Sequence, residues 1–79
     1  MFEVDFADGK WGRPKIHAFH MFEMNPQSQC LHYALQCFEG LKAYPSKDAG
    51  AVNLFRANLN MERLLSSTNR LALPSFDPE

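Results

Sequence analysis

Only two cysteines, Cys30 and Cys37, occur in the 79 residues, too few for the disulfide scaffold on which small secreted domains depend. A bridge between them within a helix is also excluded, because seven residues at about 1.5 Å each set the Cα atoms about 10 Å apart, past the roughly 7 Å a disulfide spans. Both are read as free thiols. Charge of one sign is lacking too: eight Lys and Arg stand against nine Asp and Glu. With no basic excess to neutralise phosphates or anionic lipid, neither nucleic acid nor a membrane surface is expected as a partner. No apolar run nears the roughly 20 residues of a membrane span, and Met1-Phe2-Glu3-Val4-Asp5 has neither the basic start nor the apolar stretch of a signal peptide. An intracellular protein is expected. The four glycines are scattered along the chain, so no glycine-rich phosphate loop is present, nor any Gly-x-Ser-x-Gly.

What the chain does contain is nine Leu, seven Phe, two Val and one Ile, about a quarter of its residues and above the roughly 20% floor of disordered sequences. There is material for a core, but for one small domain at most, because domains typically hold about 100 to 150 residues. A chain this short buries only about 60% of its unfolded surface, which leaves little room for a large catalytic cavity.

Alternation in Met1 to Phe6 places Phe2, Val4 and Phe6 on one face of a strand and Glu3 and Asp5 on the other. Asp8-Gly9 supplies a turn, and Lys15 to Phe22 is read as the strand that pairs back. Asn25 to Ser28 forms a loop into a short helix with Ser28 as N-cap. Its stripe is Leu31, Ala34, Leu35 and Phe38, and Gly40 ends it. Leu41 to Tyr44 and Ala51 to Phe55 are expected to form a hairpin around Pro45 to Gly50. From Leu59 to Leu71 the apolar set Met61, Leu64, Leu65, Thr68 and Leu71 follows helical spacing, with Glu62, Arg63, Ser66, Asn69 and Arg70 elsewhere around the cylinder. Asn58 is its expected N-cap and Pro74 its stop. Asp77-Pro78-Glu79 reads as the N-cap and first turn of a further helix, which suggests a truncated chain.

Among residues able to do chemistry, His17, His20, Cys30 and His32 could ligate zinc, but residues three apart on a strand point to opposite faces and no Cys-x-x-Cys exists, so no metal site is expected. Arg63, in the early turns of a helix that follows a strand, is placed as a phosphate-binding arginine is, although an exposed helical arginine is more often a solvated group. Phe38 belongs to the buried stripe of its helix. Tyr33 lies off that stripe, and an aromatic there can wall an apolar pocket. Lys42, on an alternating edge strand, is expected to face water rather than to form a Schiff base.

Leu31-His32-Tyr33-Ala34-Leu35-Gln36-Cys37-Phe38-Glu39-Gly40-Leu41-Lys42-Ala43-Tyr44 resembles the LHYxLxxFEGxKA block of the branched-chain amino acid aminotransferases. Val52 to Arg56 and Leu59 to Leu64 are similar to that family's xRLFRPxLNMxRM segment, and Leu73 to Asp77 to its LPxFD. Trp11 to Ile16 and Pro26 to Ser28 correspond as well, so the resemblance covers nearly the whole chain in order.

The resemblance implies an α+β fold of antiparallel strands with short helices, residues 1–79 being part of the small N-terminal domain of a fold-type IV enzyme dependent on pyridoxal phosphate, without the large domain. It implies that Arg63 binds the cofactor phosphate and that Tyr33 and Phe38 line the substrate pocket. The reaction implied is transfer of the amino group between leucine, isoleucine or valine and 2-oxoglutarate, in a homodimer that is cytoplasmic or mitochondrial. The family's Schiff-base lysine and pyridine-nitrogen carboxylate have no counterpart here. No catalytic residue is therefore assigned, and the chain alone is expected to be inactive. Ala57 stands where the family usually has proline, and the upstream FGxxF segment is missing. A noncatalytic interaction module, and a fragment of a D-amino acid aminotransferase or an aminodeoxychorismate lyase, are the alternatives.

Overall fold

Asp8 and Gly9 both adopt positive φ, 51° and 76°, as a two-residue type I′ hairpin requires of its central residues. In the computed structural model, which describes residues 1–79, this turn joins β2 (Phe6–Ala7) to β3 (Lys10–Trp11). The two arms then continue outward as β1 (Phe2–Glu3) and β4 (Lys15–Ile16). Phe6 pairs with Trp11 and Ala7 with Lys10, whereas Phe2 pairs with Ile16 and Glu3 with Lys15. The register slips by one residue between the two ladders, and the extra residue lies in Gly12-Arg13-Pro14. That is where a bulge belongs, since Pro14 has no N–H for a ladder. Gly12 donates to the Asp5 carbonyl at 2.7 Å, and a Cβ on Gly12 would stand 3.3 Å from that same oxygen.

Pairing ends at His17, whose backbone N–H donates to Met1 at 2.8 Å. The strand expected to run to Phe22 is therefore shorter, because residues 18–22 find no partner segment and neither face of His17 to His20 is apolar. Glu3 gathers the freed segment instead. Its Oε1 meets His20 Nε2 at 2.9 Å and its Oε2 lies 3.7 Å from His17 Nε2, which leaves the two imidazoles edge to face at 5.6 Å. The divergence expected of His17 and His20 on a strand is thus overturned.

His20 Nδ1 lies 2.9 Å from the Met21 carbonyl, and Nε2 faces Glu3 Oε1 at ion-pair distance. The Met21 hydrogen bond and then the Glu3 charge hold its pKa above the ordinary value. A raised histidine pKa makes a contribution to stability that is full below the unfolded value of about 6.5 and is lost as pH rises through the folded one. Where this hairpin is held folded, the His20 ring should therefore titrate above about 6.5 in an NMR titration assigned with His20→Gln. Titration at or below that value would show that the ring's contacts to Met21 and Glu3 are not kept.

Helix α1 spans only Gln29–Tyr33, and Ala34 closes it in the left-handed region. The longer helix to Phe38 does not form, and Ser28 makes no side-chain cap. Short helices persist when an apolar face is packed, and this one packs on little: Leu31 is exposed and Phe38 is 92% exposed. Gly40 consequently ends no helix, and Phe38 is not a core residue.

The second hairpin forms as β5 (Ala43–Pro45) and β6 (Val52–Leu54), with Tyr44 opposite Asn53. Its first arm begins two residues later than expected and ends one later, taking in Pro45, which a two-stranded ladder tolerates. Helix α2 covers Ala57–Arg70. Met61, Leu64, Leu65, Thr68 and Leu71 are buried or half-buried, and Glu62, Arg63, Ser66, Asn69 and Arg70 are exposed, as the spacing predicts. At its end the Ala72 N–H donates to Asn69 and the Leu73 N–H to Thr68. This is a Schellman closure with Ala72 at φ 53° in the position that glycine usually takes. Pro74 follows it.

The architecture is α+β: three separate two-stranded antiparallel ladders and two helices. Thr68, at 8% exposure, is the single buried residue, and its hydroxyl is satisfied by the Leu65 carbonyl at 2.9 Å. An accessible surface of 7361 Å² compares with about 4,900 Å² for a compact monomer of this mass. The radius of gyration of 15.2 Å compares with about 12 Å. Between the first hairpin and α2 lies an open apolar groove of about 590 Å³, walled by Phe2, Val4, Trp11, Leu64, Leu73 and Phe76. The Trp11 indole N–H closes one end of it by donating to the Ser75 carbonyl at 2.7 Å.

Candidate functional site

The densest polar network sits where the loop before β5 meets the first half of α2. Helix α2 begins at Ala57 rather than after Asn58. Its N-cap is Arg56, in the left-handed region at φ 52° with no side-chain cap, and the Arg56 carbonyl accepts from Leu59 and Asn60. The Arg56 guanidinium lies 5.4 Å from the Phe55 ring centre, within reach of a cation–π contact. This start puts Asn60 and Arg63 three residues apart on one face of the helix, turned toward Glu39 and Gly40.

Arg63 grips Glu39 with a fork. Its Nε donates to Oε2 at 2.8 Å and its Nη2 to Oε1. Asn60 Nδ2 donates to the same Oε1 at 3.1 Å and to the Gly40 carbonyl at 2.7 Å, and the Gly40 N–H donates to Oε1 at 3.0 Å. The carboxylate thus accepts four hydrogen bonds, about all its lone pairs allow. The hydrogen bond from Arg63 is the main cause holding the Glu39 carboxyl below the ordinary range, and the same bond raises Arg63. The Glu39 side chain is only 9% exposed, the Arg63 side chain 62%.

A guanidinium has five N–H donors. Two of those on Arg63 are taken by Glu39, so three remain on the solvent side for an anion. That geometry suits a phosphate-bearing group, which planar forked donors bind well. Of the residues singled out from sequence, Arg63 alone lies in this network. Phe38 adjoins it through Glu39 but turns its ring to solvent. Tyr33 ends α1 with its ring also exposed, 6.4 Å from that of His32. Within these 79 residues no apolar pocket wall is assembled from the two aromatics. Lys42 is exposed, and Cys30 and Cys37 are free. Sequence reasoning missed Glu39 and Asn60 as partners of Arg63; the hint available was the unbroken Phe38-Glu39-Gly40 stretch, a carboxylate beside a glycine ahead of a strand. The apolar groove does not include Arg63, and no helix is long and apolar enough to cross a membrane.

No family model matches the chain. It is similar to curated proteins named branched-chain-amino-acid aminotransferase. One from Dictyostelium discoideum is 45% identical over 80 residues, covering 100% of this chain and 21% of that protein. The mitochondrial one of Rattus norvegicus is 51% identical over 69 residues, 87% of this chain and 17% of that protein. One from Haemophilus influenzae is 42% identical over 78 residues, 99% of this chain and 22% of that protein. The chain spans about a fifth of the length of the curated relatives it matches. From animal, amoeba and bacterium alike the match runs along most or all of these residues, and the chain belongs, as a segment, to the branched-chain-amino-acid aminotransferase family.

Proposed function

We propose that these 79 residues are part of the small domain of a branched-chain-amino-acid aminotransferase, a homodimer that moves an amino group between leucine, isoleucine or valine and 2-oxoglutarate. The observation that carries the reading is the exposed fork of Arg63, with three donors unfilled, on a chain alike in sequence to proteins of that name over its whole length. The cofactor of the proposal is pyridoxal 5'-phosphate, which when bound supplies the electron sink for breaking bonds at the amino acid's α-carbon.

The task of this chain's residues is narrower. Arg63 holds the phosphate and so fixes the depth and direction of the cofactor. Tyr33 and Phe38 supply apolar surface to the substrate side once the rest of the protein closes over them, and burial of branched methyl groups there favours aliphatic substrates. The exposure of both rings in this segment accords with that division of labour. The lysine and the ring-nitrogen carboxylate belong, in this reading, to a large domain outside these residues. Relatives named mitochondrial and cytosolic both occur, and the protein is proposed to work in one of those two compartments.

The test is to read the transcript past Glu79 and to assay its full-length product. An in-frame continuation encoding a lysine-bearing domain, whose product transaminates leucine, isoleucine or valine with 2-oxoglutarate, is expected. A stop codon directly after Glu79, or a product that transaminates only D-amino acids, would overturn the reading.

A further inference from the structure

Glu39 is an unusual neighbour for a phosphate anchor, since a carboxylate beside an anion site weakens it by charge. The arrangement around it resolves the conflict. Its four accepted hydrogen bonds come from three directions: the backbone of Gly40, the Asn60 amide and two nitrogens of Arg63. Asn60 also ties the Gly40 carbonyl, so the loop end and the first turn of α2 are fastened together around the carboxylate. Three of the four bonds converge on Oε1 and one on Oε2, so the carboxylate is committed mainly to these donors. What the network accomplishes is to fix the guanidinium plane. A free arginine carries roughly 2 kcal/mol of rotamer entropy; here Nε and one edge of Nη2 are held, and the three remaining donors point away from Glu39.

We propose that Glu39, itself held by Asn60 and Gly40, is a positioning residue that aims Arg63 at the cofactor phosphate. The inference rests on the reading of Arg63 as the phosphate anchor. Two effects of opposite sign compete at Glu39. As a charge it opposes the phosphate. As a clamp it orients Arg63, and the saturated, nearly buried carboxylate with a mostly exposed guanidinium is the geometry in which orientation prevails, because much of the carboxylate's charge is already satisfied by four donors.

The experiment uses the full-length protein stripped of cofactor, and measures by absorbance titration the dissociation constants of pyridoxal 5'-phosphate and of pyridoxal, which lacks the phosphate. The ratio of the two isolates the phosphate contact from any general loosening of the site. Glu39→Ala is expected to lower the preference for the phosphorylated form about tenfold. Glu39→Gln, of nearly the same shape and with one acceptor oxygen kept, should fall between Ala and the unmodified protein, and it carries the test if Glu39→Ala does not fold. An unchanged or increased preference in Glu39→Gln and Glu39→Ala would mean that the carboxylate only competes for the cation, which overturns the proposal. Arg63→Ala separates the two readings: if it leaves the ratio unchanged, the anchor assignment itself falls, whereas a collapsed ratio in Arg63→Ala beside an unaltered one in Glu39→Ala sinks the positioning role alone.

Discussion

Heated by themselves in dilute buffer, the 79 residues are expected to lose their circular dichroism gradually, with no sigmoidal step and with strong binding of an apolar dye throughout. The reason is the near absence of an interior. An unfolded chain of this mass exposes about 13,000 Å², so the 7361 Å² that stays accessible here means that only a little over two-fifths is buried. Domains of about 60 residues reach about 60% and are already marginal. Two-stranded hairpins are not independently stable in water, and α2, at 14 residues, is near the length at which isolated helices are marginal. A cooperative urea transition with a slope near 1 kcal/mol/M or above would contradict this. It would reveal packing that the segment does not display.

Replacing Arg63 in the full-length protein should produce the larger functional loss. Arg63→Ala removes three donors and their charge, and retention of pyridoxal 5'-phosphate through dialysis is expected to weaken on the order of 100-fold, since charge-assisted hydrogen bonds are the strong ones. Arg63→Lys should recover little of it. An ammonium is a compact point charge without a planar fork, so it loses the paired, oriented donors that Arg63 presents to Glu39 and to a phosphate. Equilibrium dialysis of the two variants checks this: retention by Lys equal to that by Arg would show that charge alone suffices.

Which parts of this structure could be read from the sequence follows from how local their causes are. Asp8-Gly9 and the face of α2 that carries Leu64, Leu65 and Thr68 were legible, because a type I′ turn and a helical period are set by residues a few positions apart. The span of α1 was not. The stripe from Leu31 to Phe38 obeys helical spacing, yet its persistence depends on a surface to pack against, and Leu31 and Phe38 at its two ends meet none within the chain. The meeting of His17 and His20 on Glu3 likewise depends on where the ladder stops. Within the site, Arg63 stood out through its place after a strand and through the family resemblance. Its partner Glu39 lies 24 residues away, in a loop without periodicity, and contact across such a distance leaves no local trace.

Trp11 is the one tryptophan of the chain, and its indole N–H reaches Ser75 across 64 positions. Every strand pairing, by contrast, is made between near neighbours in sequence. The hairpin pairings can therefore form transiently as the polypeptide emerges, whereas the Trp11 bond must wait until the stretch beyond α2 has arrived. Without any added label, intrinsic fluorescence reports this last joining event, and a delay between the hairpin's backbone signal and the change in emission measures how long the ends take to find each other.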